Sequence, residues 1–224
     1  MNVYYLPIAS SSWSETDELL LKYVSPQRRE KVLQYVHVAD RRLSLYAGLA
    51  ARMALSCITG TPASKLQFRC QPHHKPELAD PAGFHFSYSH TKDMILLCIS
   101  SDGPVGADVE KLRPAPFEIM PHAFHSEEKN YVASASRDMK SQHFFEIWTR
   151  KEAYTKQLGS GLVNDLCACN TLEFSSILHT WQQGSYCCSV CGVNPGAFHL
   201  TELTEKDVQD YFLKSVTPVP GKDH

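Results

Sequence analysis

No apolar run in this chain approaches the roughly 20 residues that a membrane-spanning helix needs. Charge bias is also missing. Lys and Arg number 22 against 24 Asp and Glu, for a net charge of −2, so nothing draws the whole molecule to nucleic acid or an anionic membrane. Neither is expected as a partner. Residues Met1 to Ile8 lack the basic and apolar segments of a secretory leader, which points to the cytoplasm. Without a leader, eight cysteines in 224 residues read as reduced thiols rather than a disulfide framework. No short repeat is visible, and a monomer is the expectation. What the chain does have is 43% apolar and 10% aromatic residues, enough to exclude disorder and fill a core.

Asn2 to Ile8 reads as a strand near an edge, because Pro7 cannot donate to a ladder. Ser14 and Asp17 form a capping-box pair for a helix over 15–23. Ser25-Pro26 starts a second helix, Gln27 to Val36, which carries Arg28, Arg29 and Lys31 and is soon followed by Arg41 and Arg42. These basic residues fit a solvated face or a phosphate site. Leu43, Tyr46, Ala47, Ala50, Met53, Ala54 and Cys57 recur at helical steps, and Gly60 is placed to end that helix.

Alternation predicts strands at Leu66–Cys70 and Phe84–Tyr88, and Met94–Ser100 is apolar enough for a buried one. Asp102-Gly103 is a turn, placing an internal boundary at 103–104. A helix is expected over Ser126–Ala135. A longer one runs from Ser141 as cap to Gly159 as stop, and strands follow at Thr171–His179, Tyr186–Val193 and Phe198–Leu203. The tail from Thr217 has no periodicity. Each half reads as helices plus a few strands, so the fold class is α+β with two similar-sized lobes.

The informative stretch is Val105-Gly106-Ala107-Asp108-Val109-Glu110. Its alternation sends the apolar residues to one face and Asp108 and Glu110 together to the other. Two carboxylates so close need a basic partner, a shared proton or a divalent cation, unless both are simply solvated. Trp148, Glu152 and Lys156 lie at i, i+4 and i+8, hence on one helix face. If that helix packs beside the acidic strand, Asp108, Glu110 and Glu152 make an oxygen-rich site suited to Mg²⁺, with Lys156 ready to neutralise a phosphate. An ordinary surface Glu–Lys pair is the simpler alternative. His90 ends an apolar strand, where it can serve a ligand or merely the structure. Cys167-x-Cys169 and Cys188-x2-Cys191 can be read as zinc ligands, but the first spacing is atypical and the second pair falls in an alternating strand.

Together these segments resemble the 4′-phosphopantetheinyl transferases of the surfactin-synthetase-activating type. The carriers of the resemblance are Val105–Glu110, Trp148-Thr149-Arg150-Lys151-Glu152-Ala153, Lys75-Pro76, Phe86-Ser87-Tyr88-Ser89-His90 and the basic segment Ser25–Lys31, covering roughly residues 2–205. The resemblance implies two pseudo-symmetric halves, 1–103 and 104–224, with the active site between them. It implies transfer of phosphopantetheine from coenzyme A to a serine of an apo carrier protein, releasing 3′,5′-adenosine bisphosphate. Asp108, Glu110 and Glu152 would hold Mg²⁺, and Glu152 would be the base. Lys156 and His90 would contact the pyrophosphate; Arg28, Lys31 and Ser44 the 3′-phosphate; Lys75, Pro76 and Ser89 the adenosine. His74, Ser87 and Tyr88 stand where the family has Gly, Asn and an aliphatic residue. The rival expectation is a non-catalytic module that binds coenzyme A or carrier domains, and a metal-dependent phosphoesterase is the third.

Overall fold

A computed structural model describes residues 1–9, 12–69, 75–159, 166–194 and 198–214. The first part of the chain forms β1 (Asn2–Pro7), α1 (Glu15–Leu20), α2 (Pro26–Gln34) and α3 (Val38–Thr59), then β2 (Gln67–Arg69), β3 (Glu77–Asp80), β4 (His85–Thr91) and β5 (Met94–Ser100). The second part forms β6 (Gly106–Lys111), α4 (Met120–Ala123), α5 (Ser126–Ser134) and α6 (Lys140–Leu158), then β7 (Leu178–Gln183), β8 (Tyr186–Cys191), β9 (His199–Glu202) and α7 (Glu205–Lys214). The protein is α+β.

Local chemistry accounts for the helix ends. Ser14 accepts from the Asp17 N–H while Asp17 reaches back to the Ser14 N–H, the capping box expected. Ser25 caps α2 with Pro26 at its first turn. Gly60 and Gly159 end α3 and α6 at φ 69° and 71°, a conformation that L side chains rarely adopt.

One sheet has the order β4-β5-β1-β9 and another β6-β8-β7, while β2 and β3 form a small hairpin. Ladder pairs in the two main sheets are antiparallel, apart from β1 with β9. Val105, Ala107 and Val109 do face one way, into a core with Val3, Leu96, Cys98 and Val190. β9 comes from the second part of the chain yet completes the first sheet, and α7 buries Val208 and Phe212 against Leu43, Leu45 and Leu49 of α3. Residues 199–214 therefore pack with the first part of the chain.

β4 and β6 are edge strands of different sheets, and side chains bridge them. Ser87 Oγ accepts from the Ala107 N–H (3.2 Å), Ser89 Oγ donates to Asp108 (2.7 Å), and Thr91 Oγ1 donates to Glu110 (3.4 Å). Lys75 Nζ donates to the Val105 carbonyl at 2.6 Å. Ser87 and Lys75 thus serve backbone groups at the edge of β6, while Ser89 and Thr91 reach its two carboxylates.

Two buried ion pairs pin helices to each other. Asp17 accepts from Arg42 Nε at 3.1 Å and from the Tyr46 hydroxyl at 3.0 Å, and Arg42 also reaches Glu205 at 2.6 Å. In the second part, Lys151 meets Glu128 at 2.8 Å and donates to the Leu166 and Cys169 carbonyls. Each acid is the third residue of a capped helix, and each cation lies on a long helix. Such pairs are tolerated in the interior because further hydrogen bonds satisfy the remaining polar atoms.

The structure corrects several local expectations. Ser141 does not cap α6: the helix begins a residue earlier, and Ser141 Oγ accepts from the Ala115 N–H. Thr171–His179 is not one strand, because Thr171–Glu173 is a 3₁₀ turn and pairing begins only at Leu178. β3 and α7 were not anticipated. The tail from 217 lies outside the described residues. Among the described residues no helix is long and apolar enough to cross a membrane.

Gly106 has a demanding role. A Cβ there would lie 1.8 Å from the Ala153 carbonyl oxygen and 2.7 Å from the Gln157 nitrogen. Those are backbone atoms of α6, so only glycine lets β6 lie directly on the helix. Gly106→Ala is expected to cost at least about 1–3 kcal/mol, the usual penalty for overpacking. Chemical denaturation of both proteins checks this; equal midpoints would refute the close approach.

Candidate active site

The close packing of β6 on α6 brings the acidic strand to the Glu152–Lys156 face. Asp108 is 4% exposed, and Lys156 Nζ binds its Oδ1 at 2.6 Å while also donating to Ser89 Oγ at 3.1 Å. Asp108 Oδ2 is buried with no hydrogen-bond partner among the described residues. Glu110, on the same face of β6, pairs with Arg113 at 2.8 Å. Glu152 is half-buried, and its carboxyl titrates above the ordinary range. Burial is the main cause, and repulsion from Asp108 and then Glu110 adds to it against the pull of Lys156.

The three carboxylates thus share one electrostatic neighbourhood. Among the described residues, however, no three His, Cys, Asp or Glu side chains are grouped closely enough to hold a metal ion. Lys156 and Arg113 are the groups that now meet Asp108 and Glu110.

β4 divides the site into two faces. Ser87, Ser89 and Thr91 turn toward β6, while Phe86 and Tyr88 line a cavity of about 260 Å³ with Arg28, Lys31, Gly48 and Pro76. His90 is half-buried near the meeting of the two faces. Burial lowers its pKa first, followed by Arg28, Lys156 and Lys31. Arg28 and Lys31 of α2 and Lys156 of α6 therefore surround His90 with positive charge, suited to phosphate groups.

The other candidates are placed differently. Ser44 is buried, does not line the cavity, and its hydroxyl lacks a partner among the described residues. Lys75 holds the Val105 carbonyl, and burial lowers its pKa. Ser89 lies with the acids, whereas Pro76 lines the cavity. Arg42 and Arg41 serve the fold, Arg42 in its ion pairs and Arg41 over the Trp13 ring. His74 lies outside the described residues. Cys188 and Cys191 are buried in different core clusters, so they do not converge on a common ligand. Sequence reasoning did not single out Gly48, Arg52 or Phe68, which also line the cavity. A glycine inside a long helix was the available signal.

Comparison with known sequences fits this geometry. Residues 11–102 match the family "4′-phosphopantetheinyl transferase, N-terminal", and residues 104–209 match the "4′-phosphopantetheinyl transferase superfamily". The transferase AcpT of Salmonella typhimurium is 32% identical over 132 residues, covering 58% of this chain and 68% of the relative. The chain belongs to the 4′-phosphopantetheinyl transferase superfamily. It is also similar to the transferase Sfp of Bacillus subtilis, 28% identical over 162 residues and 72% of each chain. The transferase gsp of Aneurinibacillus migulanus is 31% identical over 139 residues, 62% of this chain and 57% of that one.

For a phosphopantetheinyl transferase, the raised Glu152 has a measurable consequence. Its folded pKa lies above the unfolded one, so the wild type loses stability as pH rises from about 4.5 through the folded value. Glu152→Gln removes that loss. In chelator-treated protein the variant's melting temperature is expected to exceed the wild type's at pH 7 and to approach it near pH 4. A difference that does not change with pH would contradict the assignment.

Proposed function

We propose that this protein transfers the 4′-phosphopantetheine of coenzyme A to a serine of an apo carrier protein, with Asp108, Glu110, Glu152, Lys156, His90, Arg28 and Lys31 as its working residues. One observation carries the assignment of roles. A part-buried Asp108–Lys156–Ser89 cluster, with Glu152 repelled by Asp108, adjoins a cavity lined by Arg28 and Lys31 and large enough for part of a nucleotide.

The reaction needs a proton acceptor and charge neutralisation. The serine oxygen attacks the phosphorus that bears pantetheine, and the bond to the second phosphate breaks. 3′,5′-Adenosine bisphosphate leaves with the electron pair, and the serine proton passes to Glu152, directly or through a water. A carboxyl whose pKa is raised by burial and neighbouring acids is a stronger base than an ordinary one. Lys156 and His90 face the charge that develops on the phosphoryl oxygens, and Lys156 is already held by Asp108 and Ser89 before substrate arrives. Arg28 and Lys31 read the 3′-phosphate and Pro76 borders the adenosine, while Ser44 and Lys75 are not among the residues that line the cavity.

By chemistry, though not by their present spacing, the three carboxylates also fit Mg²⁺, whose preferred ligands are a few carboxylates with substrate phosphate. Asp108 Oδ2 lacks a donor among the described residues, and the repulsion around Glu152 calls for a cation. Asp108, Glu110 and Glu152 would hold the ion, which when bound supplies Lewis-acid stabilisation of the pyrophosphate.

The same reading includes two pseudo-symmetric halves meeting near residue 103, with 199–214 returned to the first. Support comes from the paired buried acid–cation contacts and from a helix pair in each half. It further includes a monomer in the cytoplasm, and a carrier that docks on 113–140, where Arg113 and Phe117 are exposed.

Mass spectrometry of an apo carrier incubated with the protein, coenzyme A and Mg²⁺ is expected to show a phosphopantetheine-sized gain. Asp108→Ala and Glu152→Gln are expected to lower the rate by about 10²–10⁴-fold or more with the fold retained. Full activity in either variant would sink the mechanism. Carriers unchanged across a panel, with coenzyme A bound, would favour a binding module, and hydrolysis without a carrier a phosphoesterase.

A further inference from the structure

The two best-placed arginines of the first half are held in opposite ways. Arg42 is neutralised by Asp17 and Glu205, so its donors are used within the fold. Arg28 is held by surfaces that take no hydrogen bond. Its guanidinium carbon sits 5.1 Å from the centre of the Tyr88 ring. On α3, a Cβ at Gly48 would lie 2.9 Å from Arg28 Nε and 3.5 Å from its Nη2, so the side chain runs across bare backbone. Arg28 Nε is buried without a partner among the described residues.

A ring face stabilises a cation through its quadrupole without consuming N–H donors. A carboxylate in the same place would use those donors and cancel the charge. The charge on Arg28 is felt nearby, where it helps to lower the pKa of His90. Tyr88 also stands where the family resemblance has an aliphatic residue, which would lack the quadrupole.

We propose that Tyr88 and Gly48 clamp Arg28 so that its terminal nitrogens stay free for the 3′-phosphate, making Tyr88 a positioning residue that sets how strongly this phosphate is recognised. The proposal rests on the reading of Arg28 given under Proposed function. The clamp fixes the guanidinium against rotation in advance, which lowers the entropy lost when an anion binds. Gly48 is required because any side chain there would displace the arginine.

Calorimetric affinities of the full chain for coenzyme A and for 3′-dephospho-coenzyme A test this, together with kcat and KM for transfer. Wild type is expected to prefer coenzyme A. Tyr88→Leu is expected to reduce that preference about tenfold, between the values for exposed and desolvated cation–π contacts. The loss falls on KM for coenzyme A rather than on kcat. Tyr88→Phe keeps the ring and restores the preference, while Gly48→Ala reduces it as Tyr88→Leu does. Thermal melts confirm that each variant folds.

Arg28→Ala separates the two levels of inference. If it leaves the preference intact, the 3′-phosphate reading falls and the clamp with it. If it removes the preference while Tyr88→Leu weakens both nucleotides equally or neither, the reading stands and the clamp is wrong.

Discussion

The contact of Gly106 with the backbone of α6 governs the site. Strand and helix ordinarily meet through side chains, which hold their backbones apart. Here a missing Cβ lets β6 lie against Ala153 and Gln157. Asp108 and Glu110 on the strand are thereby brought to Glu152 and Lys156 on the helix. The repulsion that raises Glu152 and the 2.6 Å bond from Lys156 to Asp108 both follow from that proximity.

The rest of the architecture holds this contact in register. Ser87 and Ser89 of β4, with Lys75 from the preceding loop, bridge to the outer edge of β6, so two sheet edges meet through side chains instead of a ladder. β4 consequently belongs to both chemistries: one face supports the carboxylates, and the other floors the cavity below Arg28. Residues 199–214 close the first sheet and insert Glu205 beside Arg42, tying the end of the described chain to its beginning. Lys156 and Arg113 pair with the acids on one side of that strand, while Arg28 and Lys31 line the cavity on the other.

Most elements could be read from local patterns. Caps at Ser14 and Ser25, glycine stops at 60 and 159, and the alternation of β6 all appear as expected, because each depends on neighbours within a few residues. The misses have physical reasons as well. Thr171–His179 alternates like a strand, yet Thr171 donates its backbone N–H to the buried Glu128, which holds the chain in a turn. α7 carries its own signal in the Thr204–Asp207 capping pair and in Val208 and Phe212, four apart on one face.

The candidate site divides along the same line. Sequence alone determined that Asp108 and Glu110 share a face, as do Glu152 and Lys156, because strand and helix periods are fixed by covalent geometry. It also determined the family, through motifs separated by tens of residues. Only the tertiary structure decided which cations were free. Arg28 and Arg42 look alike in sequence, but one faces Tyr88 and the other two buried carboxylates. Likewise Lys75 and Ser89 turned toward β6 rather than the cavity, Lys75 to the Val105 carbonyl and Ser89 to the Asp108 carboxylate. Which groups meet across elements depends on how closely the elements pack, and one glycine set that distance.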